Sequence, residues 1–282
     1  MLRPPHQRYN RLHVYYFDRT HLPLVEDPDF IGTWIEDDQA ILFFHSEKEE
    51  LIRRICRESG ASLIYQAEMG YEDWEAGVKV TAFRTNRLLV RPVWETGESP
   101  GSLEEVVLDP SVIFGSGFHP TTRLCLDTLE LLFAHTGGSI RSVLDLGTGT
   151  GILAIAAARM GATRITAIDH NPLAVQVARA NVQANNCTEQ IDVRQVDLTT
   201  GLVDTGYDLV ITNLYKGLLE RLFRTPSFWK GTHYLVSGFI PAMEGELLAA
   251  LPDRSIRMLH RAGQDRWRLW LLGNDQPDRQ HH

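Results

Sequence analysis

Val143–Ile155 reads VLDLGTGTGILAI. An apolar run ends in an acid, three glycines follow on alternate positions, and a second apolar run comes after at helical spacing. A strand–turn–helix of this kind lets the backbone approach a nucleotide-like ligand, because glycine carries no Cβ. A dinucleotide turn wants G-x-G-x-x-G. Here Gly147, Gly149 and Gly151 alternate and Ile152 stands where the last glycine would be, so the pyrophosphate reading fails. A P-loop fails as well, since no Gly-Lys-Ser/Thr follows. What remains is Asp145, two residues before a G-x-G-x-G turn that includes Thr148. A carboxylate at a strand end suits a cationic or hydroxyl-bearing ligand rather than a phosphate. S-adenosylmethionine carries an ammonium, a sulfonium and two ribose hydroxyls.

The following strands point the same way. ITAIDHNP carries Asp169, 18 residues after Gly151, where a carboxylate accepts both ribose hydroxyls. A nicotinamide enzyme places an acid there too, so Asp169 alone does not discriminate. The third strand ends in Asp197, placed to accept from an adenine amino group. Any one of these acids is as readily a turn-former or helix cap. Three at successive strand ends line one crevice, at the carboxyl edge where open α/β sheets bind ligands.

The pattern around this stretch sets the fold class. A helix is expected over 121–133, with Cys125, Leu129, Leu132 and Phe133 on one side. Then come strand SVLDL, helix 152–160, strand RITAID, helix 172–185, strands IDVRQVD and YDLVITN, a helix from Lys216, strand HYLVSG and helix 241–251. Strands alternating with helices make an α/β fold with a mostly parallel sheet covered on both faces. SIRMLH and WRLWLL, joined by the short loop RAGQD, should close it as an antiparallel pair.

The N-terminal part reads differently. LHVYYF, FIGTWIEDDQ, AILFFH and ASLIYQAEM are strand-like, and SEKEELIRRICRESG is one helix, with Ser46 as the expected N-cap and Gly60 as its stop. This predicts a small α+β domain over 1–70. Residues 71–105 read as a connecting segment with a hairpin-like pattern and, at 96–105, a linker rich in Gly, Ser, Pro and acids. The α/β domain is expected over 106–282.

Composition narrows the function. The chain has 282 residues, 43% of them apolar, and a net charge of −8. A pI near 5.8 lowers the expectation of direct nucleic-acid binding, which favours a basic face. Three scattered cysteines form no metal pattern and fit a reducing cytoplasm. The first ten residues have no apolar core for a signal peptide, and no run reaches a membrane-spanning length. The final RQHH reads as a frayed end. The expectation is a cytoplasmic monomer with no metal.

DLVITNLYKGLL puts Asn213 at the end of the fourth strand, beside the sulfonium in this fold class. Methyl transfer is an in-line displacement and mainly a matter of positioning. A lysine acceptor must also lose its proton, at a cost of about 4–5 kcal/mol at pH 7 from a reference pKa near 10.4. The Asn213 side-chain oxygen and the Leu214 carbonyl are candidates to accept amine hydrogens. Tyr215 is a candidate wall that excludes water and disfavours the ammonium. The plain alternatives are that Asn213 caps the next helix and that Tyr215 is core. The stretch resembles the N-P-P-Y motif of enzymes that methylate base or glutamine nitrogens, but both prolines are missing, which argues against a nucleic-acid base.

Upstream stands LDPSVIFGSGFHPTTRLCLDTLE, Leu108–Glu130. Together with VLDLGTGTGILAIAA, TNL, SGF after the fifth strand and DRWRLW near the end, it resembles the PrmA family of ribosomal-protein methyltransferases. The resemblance runs from about Asp73 to the C-terminus. It implies a seven-stranded, Rossmann-like class I methyltransferase sheet and an N-terminal ferredoxin-like domain that grips the protein substrate. It implies donor contacts from Phe114 and from the 117–121 loop, including Gly117, His119 and Thr121, and Asn213 beside the target nitrogen. Read from the residues alone, Thr121 and Thr122 are equally helix caps and His119 a loop residue. The chain departs from the family pattern at Phe118, where a small polar residue is usual, and at NLYKGLL, which replaces N-I-L-A-x-P-L. In the N-terminal domain DRTHLPLVEDPD stands where the family has a helix, so that domain is a reduced one. The lysine methyltransferase of the electron-transfer flavoprotein beta subunit shares the catalytic motifs and is a rival.

These readings converge on an S-adenosylmethionine-dependent protein N-methyltransferase that releases S-adenosylhomocysteine. The acceptor would be a lysine or N-terminal amine of a protein, with a ribosomal protein as one candidate. A small-molecule methyltransferase and a donor-binding module without turnover are the alternatives, and a nicotinamide oxidoreductase is more distant.

Overall fold

The structure is a computed structural model that describes residues 11–36, 38–70, 80–95, 97, 101–201, 203–252 and 255–275. The parts of the connecting segment at 71–79, 96 and 98–100, and the end at 279–282, lie outside the described residues. Contacts divide the chain into two compact units, 1–81 with 92–96 and 171–173, and 82–91 with 97–170 and 174–282.

The first unit holds an antiparallel four-stranded sheet, β1 (Arg11–Phe17), β2 (Phe30–Glu36), β3 (Gln39–Phe44) and β4 (Leu63–Gly70), in the order β2-β3-β1-β4. Helix α1 (Glu49–Ser59) covers one face. Its Ile52 and Ile55 meet Tyr15, Phe17, Leu42 and Phe44, alternate residues of β1 and β3. Gly60 ends the helix at φ 65, a left-handed conformation that costs glycine little. The expected cap is corrected. Lys48 occupies the N-cap position with no side-chain cap, and its N–H donates to the Tyr15 hydroxyl at 3.0 Å. Ser46 instead donates to Asp29 at 2.7 Å, because the chain turns two residues later than the capping pattern suggests. The stretch between β1 and β2 carries no helix among the described residues, so the unit is the reduced one expected from DRTHLPLVEDPD.

The second unit is built on a seven-stranded sheet. Its strands are β8 (Ser142–Leu146), β9 (Arg164–Asp169), β10 (Ile191–Gln195), β11 (Leu209–Asn213), β12 (His233–Phe239), β13 (Ile256–Gln264) and β14 (Trp267–Asn274), in the order β10-β9-β8-β11-β12-β14-β13. The first five strands in this order are parallel, while β14 runs antiparallel to β12 and β13 antiparallel to β14. The chain builds outward from β8 in one direction to β10, then crosses to β11 and builds the other way. The switch point therefore lies between β8 and β11, where sheets of this type bind ligands.

Both faces are covered. Helices α2 (Pro120–His135), α3 (Ile152–Arg159) and α4 (Pro172–Ala184) supply Leu129, Ile155 and Ala178 to the core that takes Val143 and Ile211. Helices α5 (Lys216–Phe223) and α6 (Pro241–Ala249) supply Leu219 and Leu247 to the opposite core, which takes Leu144 and Val210. Neighbouring strand residues go to opposite cores, the mark of a sheet buried on both sides.

Three further strands, β5 (Phe83–Arg84), β6 (Leu88–Pro92) and β7 (Glu104–Leu108), form a small sheet of their own. Leu88, Val90, Val106 and Leu108 are buried in the α2 core. Glu104 and Glu105, read as the end of a linker, open β7. On its other side the strand is held by two asparagines, Asn181 on α4 and Asn185 just past its end. Asn185 accepts from Val107 N at 2.9 Å and donates to Val107 O at 2.6 Å. Asn181 accepts from Asp109 N at 2.8 Å and donates to Asp109 O at 2.9 Å. The closing hairpin is tighter than expected. Gln264 pairs with Trp267, so the turn is Asp265–Arg266, with Asp265 at φ 53, and Gly263 lies in the strand opposite Arg268.

Candidate active site

The glycine turn leaves β8 at the switch point and enters α3. Gly147, Gly149 and Gly151 have φ of 73, 55 and 84, which non-glycine residues rarely adopt. The N–H groups of Gly147 and Thr148 both donate to Ile168 O at 2.9 Å, tying the turn to β9. A Cβ on Gly147 would overlap the Leu214 side chain, and one on Gly149 would overlap the Phe114 carbonyl. The missing side chains therefore admit, first, the protein's own loops. Two sequence segments far from the turn, around Phe114 and Leu214, close directly onto it.

The three acids at the strand ends are not equivalent. Asp145 is 1% exposed and accepts the Thr148 hydroxyl at 2.6 Å. Its pKa is pushed up to about 7, chiefly by burial. The Asp169 charge acts in the same direction, while the Thr148 hydroxyl and the Ala154 N–H act downward. Asp169 is buried and accepts Gly149 N at 3.0 Å, so the ribose candidate also braces the glycine turn. Its second oxygen lies 3.4 Å from His170 Nδ1. Asp197 lies beyond the end of β10 and is exposed. It accepts Thr199 N at 2.7 Å, and hydrogen bonding with Thr199 lowers its pKa. This is the turn-forming use of an acid.

Phe114 and its loop form the next wall. The Phe114 carbonyl accepts Thr150 N at 3.2 Å, and the Gly115 carbonyl accepts the Thr150 hydroxyl at 2.7 Å. The Phe114 ring stays 47% exposed. It meets the His119 ring edge-on at 5.0 Å, and His119 meets Trp267 at 4.9 Å. Gly117, at φ 94, has the Phe83 ring where a Cβ would stand. Phe118 packs on Phe83 edge-to-face at 5.6 Å, and the Arg123 guanidinium covers the Phe83 ring at 3.2 Å. The departure at Phe118 is thus an aromatic contact made with β5.

The cap assignment in this loop is also corrected. His119 is the N-cap of α2, and its ring accepts Thr121 N at 3.3 Å. Thr121 and Thr122 lie inside the first turn, both buried. Thr121 bonds to His119 Nδ1 at 2.8 Å through its hydroxyl. The Thr122 hydroxyl is buried with no hydrogen-bond partner among the described residues, a costly state. The sequence weighed Thr122 only as a cap, and its repeat beside Thr121 gave no sign of which hydroxyl is spare. Burial and the neighbouring Arg266 lower the His119 pKa.

Across the switch point stands Asn213. It is half-buried at the end of β11, level with Ser237 of β12. Its amide has no hydrogen-bond partner among the described residues. It does not cap α5, whose N-cap position is Tyr215. Leu214 N donates to Ser237 O at 3.2 Å, and the Leu214 carbonyl presses on Gly238, at φ 100, where any Cβ would overlap it. Tyr215 is 65% exposed and is not core. Its ring lies near Gly217. The adjoining Lys216 bridges Glu220 and Glu246.

Two buried carboxylates, Asp145 and Asp169, and the loop that carries the exposed Phe114 ring thus close on one glycine turn, with Asn213 at the end of the strand next to β8. Among the described residues, no group of three His, Cys, Asp or Glu side chains could hold a metal ion.

Comparison with known proteins gives this arrangement a family. A family model described as "Ribosomal protein L11 methyltransferase (PrmA)" matches residues 36–272. The ribosomal protein L11 methyltransferase of Myxococcus xanthus is 34% identical over 202 residues, covering 71% of this chain and 68% of that protein. The one of Trichlorobacter lovleyi is 41% identical over 162 residues, covering 55% of this chain and 51% of that protein, so the match spans only about half of that relative's length. The crystal structure of the ribosomal protein L11 methylase from Lactobacillus delbrueckii subsp. bulgaricus shares the fold, with a TM-score of 0.58 at 24% identity, covering 69% of this chain and 98% of that one. On the match across 36–272, the chain belongs to the ribosomal protein L11 methyltransferase (PrmA) family.

Proposed function

We propose that the protein transfers a methyl group from S-adenosylmethionine to an amine nitrogen of a ribosomal protein, a lysine side chain or an N-terminus. The observation that carries this reading is the Asn213 amide, without a hydrogen-bond partner among the described residues, at the end of the strand that pairs with β8 at the switch point. When bound, the donor supplies a methyl group activated by a sulfonium.

The residues divide the remaining work. The Asp169 carboxylate, buried beside the glycine turn that it braces, accepts ribose hydroxyls. The buried Asp145 carboxylate and the Thr148 beside it answer the donor's ammonium. Phe114, exposed on the loop that closes on the turn, would supply an aromatic contact to the donor. The Asn213 side-chain oxygen accepts a hydrogen of the neutral amine and aims its lone pair. This task falls to Asn213 more than to Leu214, whose carbonyl is already pressed against Gly238. Tyr215 is open to solvent here, so it excludes water only once an acceptor covers it. Exclusion of water then favours the uncharged amine. Asp197, engaged in its own exposed turn, is at most a peripheral contact to the adenine amino group. The acidic balance of the chain fits a protein acceptor better than a nucleic acid. No helix among the described residues is long and apolar enough to cross a membrane, and we place the enzyme with its substrate in the cytoplasm.

The test is transfer of a radiolabelled methyl group into an extract of cells lacking this gene, with ribosomes separated from soluble protein. Label on one ribosomal protein is the expected result. Label on a soluble protein would keep the chemistry and move the substrate. An extract with no labelled protein, despite measured donor binding, would overturn the protein-acceptor reading.

A further inference from the structure

We infer that Thr150 is a positioning residue for methyl transfer, holding the 113–119 loop over the donor turn. The inference rests on the reading of that turn as the donor site.

All three polar groups of this side chain and backbone unit are spoken for. Thr150 N donates to Phe114 O at 3.2 Å. Its hydroxyl donates to Gly115 O at 2.7 Å. Its carbonyl accepts the Asn181 amide of α4 at 2.9 Å. Thr150 is fully buried, so water cannot replace these bonds. Asn181 also takes both backbone groups of Asp109, where β7 ends. One asparagine therefore fixes the start of the loop, and through Thr150 its crest.

The glycines show how close this contact is. A Cβ on Gly115, at φ 109, would stand 2.9 Å from the Thr150 hydroxyl, and Gly149 admits the Phe114 carbonyl. The F-G-S-G stretch and the G-T-G-T-G turn are thus one interlocked unit with Thr150 as its pin. Thr150 need not touch the donor. It sets where Phe114, the exposed ring of the wall, stands relative to Asp145 and Asp169.

The hydroxyl is the separable part. Thr150→Ser keeps it, and Thr150→Val keeps the shape and loses it, leaving the buried Gly115 carbonyl without that donor. In the full-length protein, three readouts compare these variants with the native chain. They are donor affinity by titration calorimetry, the split of KM and kcat, and amide exchange of 116–119 without donor. Thr150→Val is expected to bind the donor about 10-fold more weakly, the size of one buried hydrogen bond, with faster exchange in the loop and native-like folding by circular dichroism. Thr150→Ser should stay within about twofold on every measure. Native exchange and affinity in Thr150→Val would overturn the inference. So would Thr150→Ser failing as badly as Thr150→Val, since the missing methyl and not the hydroxyl would then be the cause. If the native protein itself bound no donor, the functional reading would fall, while the exchange comparison would still decide whether Thr150 holds the loop.

Discussion

Asp145, Asp169 and Asp197 look alike in the sequence, each an acid at or just past a strand end. The structure spends them on three different tasks because burial, which the local sequence does not encode, differs at each. Asp145 lies under α2 and α3, and its pKa is pushed up to about 7. A carboxyl raised in the folded state stabilises the fold fully below its unfolded pKa near 3.9, and that stability drains away as pH rises toward 7. The donor-free protein is therefore expected to lose melting temperature between about pH 5 and pH 7, and Asp145→Asn should flatten that slope. Equal slopes in the two proteins, measured by calorimetry, would mean that Asp145 is ionised throughout. At Asp169 the alanine variant loses both the proposed ribose contact and the brace on Gly149. Donor affinity should fall at least 10- to 100-fold, from about 1.5–3 kcal/mol per charge-assisted hydrogen bond. At Asn213 the amide holds up no part of the fold, so Asn213→Ala should bind donor normally and transfer slowly. Loss of donor binding in that variant would make Asn213 a donor contact instead.

Elements of the large sheet were legible because glycine, proline and apolar periodicity mark them. SVLDL and RITAID match β8 and β9 residue for residue, and α2 extends its expected span by one or two residues at each end. What failed was chemistry that depends on distant chain. The first two residues of β7, Glu104 and Glu105, read as linker because the strand is held by distant chain, Val107 bonding to Asn185 78 residues on. Thr150 was invisible for the same reason, a hydroxyl between glycines whose partners lie about 35 residues upstream. The junction of β12 with the Asn213–Tyr215 segment is another long-range contact, and it is testable. Gly238→Ala must displace the Leu214 carbonyl, carrying Asn213 with it. Since a misplacement near 1 Å can cost about 100-fold in rate, kcat at saturating donor should drop by that order. A native kcat would show that the segment relaxes without moving the amide.

The whole molecule raises the question of where the donor-binding part begins. The sequence pattern put its start at 106, whereas 82–91 cluster with the large unit. Every candidate site residue from Phe114 to Tyr215 belongs to that unit, and so does the hairpin that precedes them. Glu130 of α2, buried at 4% exposure, accepts the Thr85 hydroxyl and the N–H groups of Asn86 at 3.1 Å and Arg87 at 2.9 Å. Leu88 and Val90 fill the same core, and Phe83 fills the space above Gly117. A fragment of residues 82–282 should therefore fold and bind donor like the full chain, yet fail to methylate the protein acceptor if the first unit reads it. A fragment of residues 106–282 should not. It loses two buried aliphatic side chains, worth about 1.5–3 kcal/mol each, and strands a buried carboxylate with no partners, at about 1–3 kcal/mol or more. Those losses together approach the whole of a stability of about 5–15 kcal/mol. Urea unfolding and donor titration of the two fragments decide the matter. Equal stability and affinity would mean that the hairpin is dispensable and that the donor-binding part starts where the alternating pattern does.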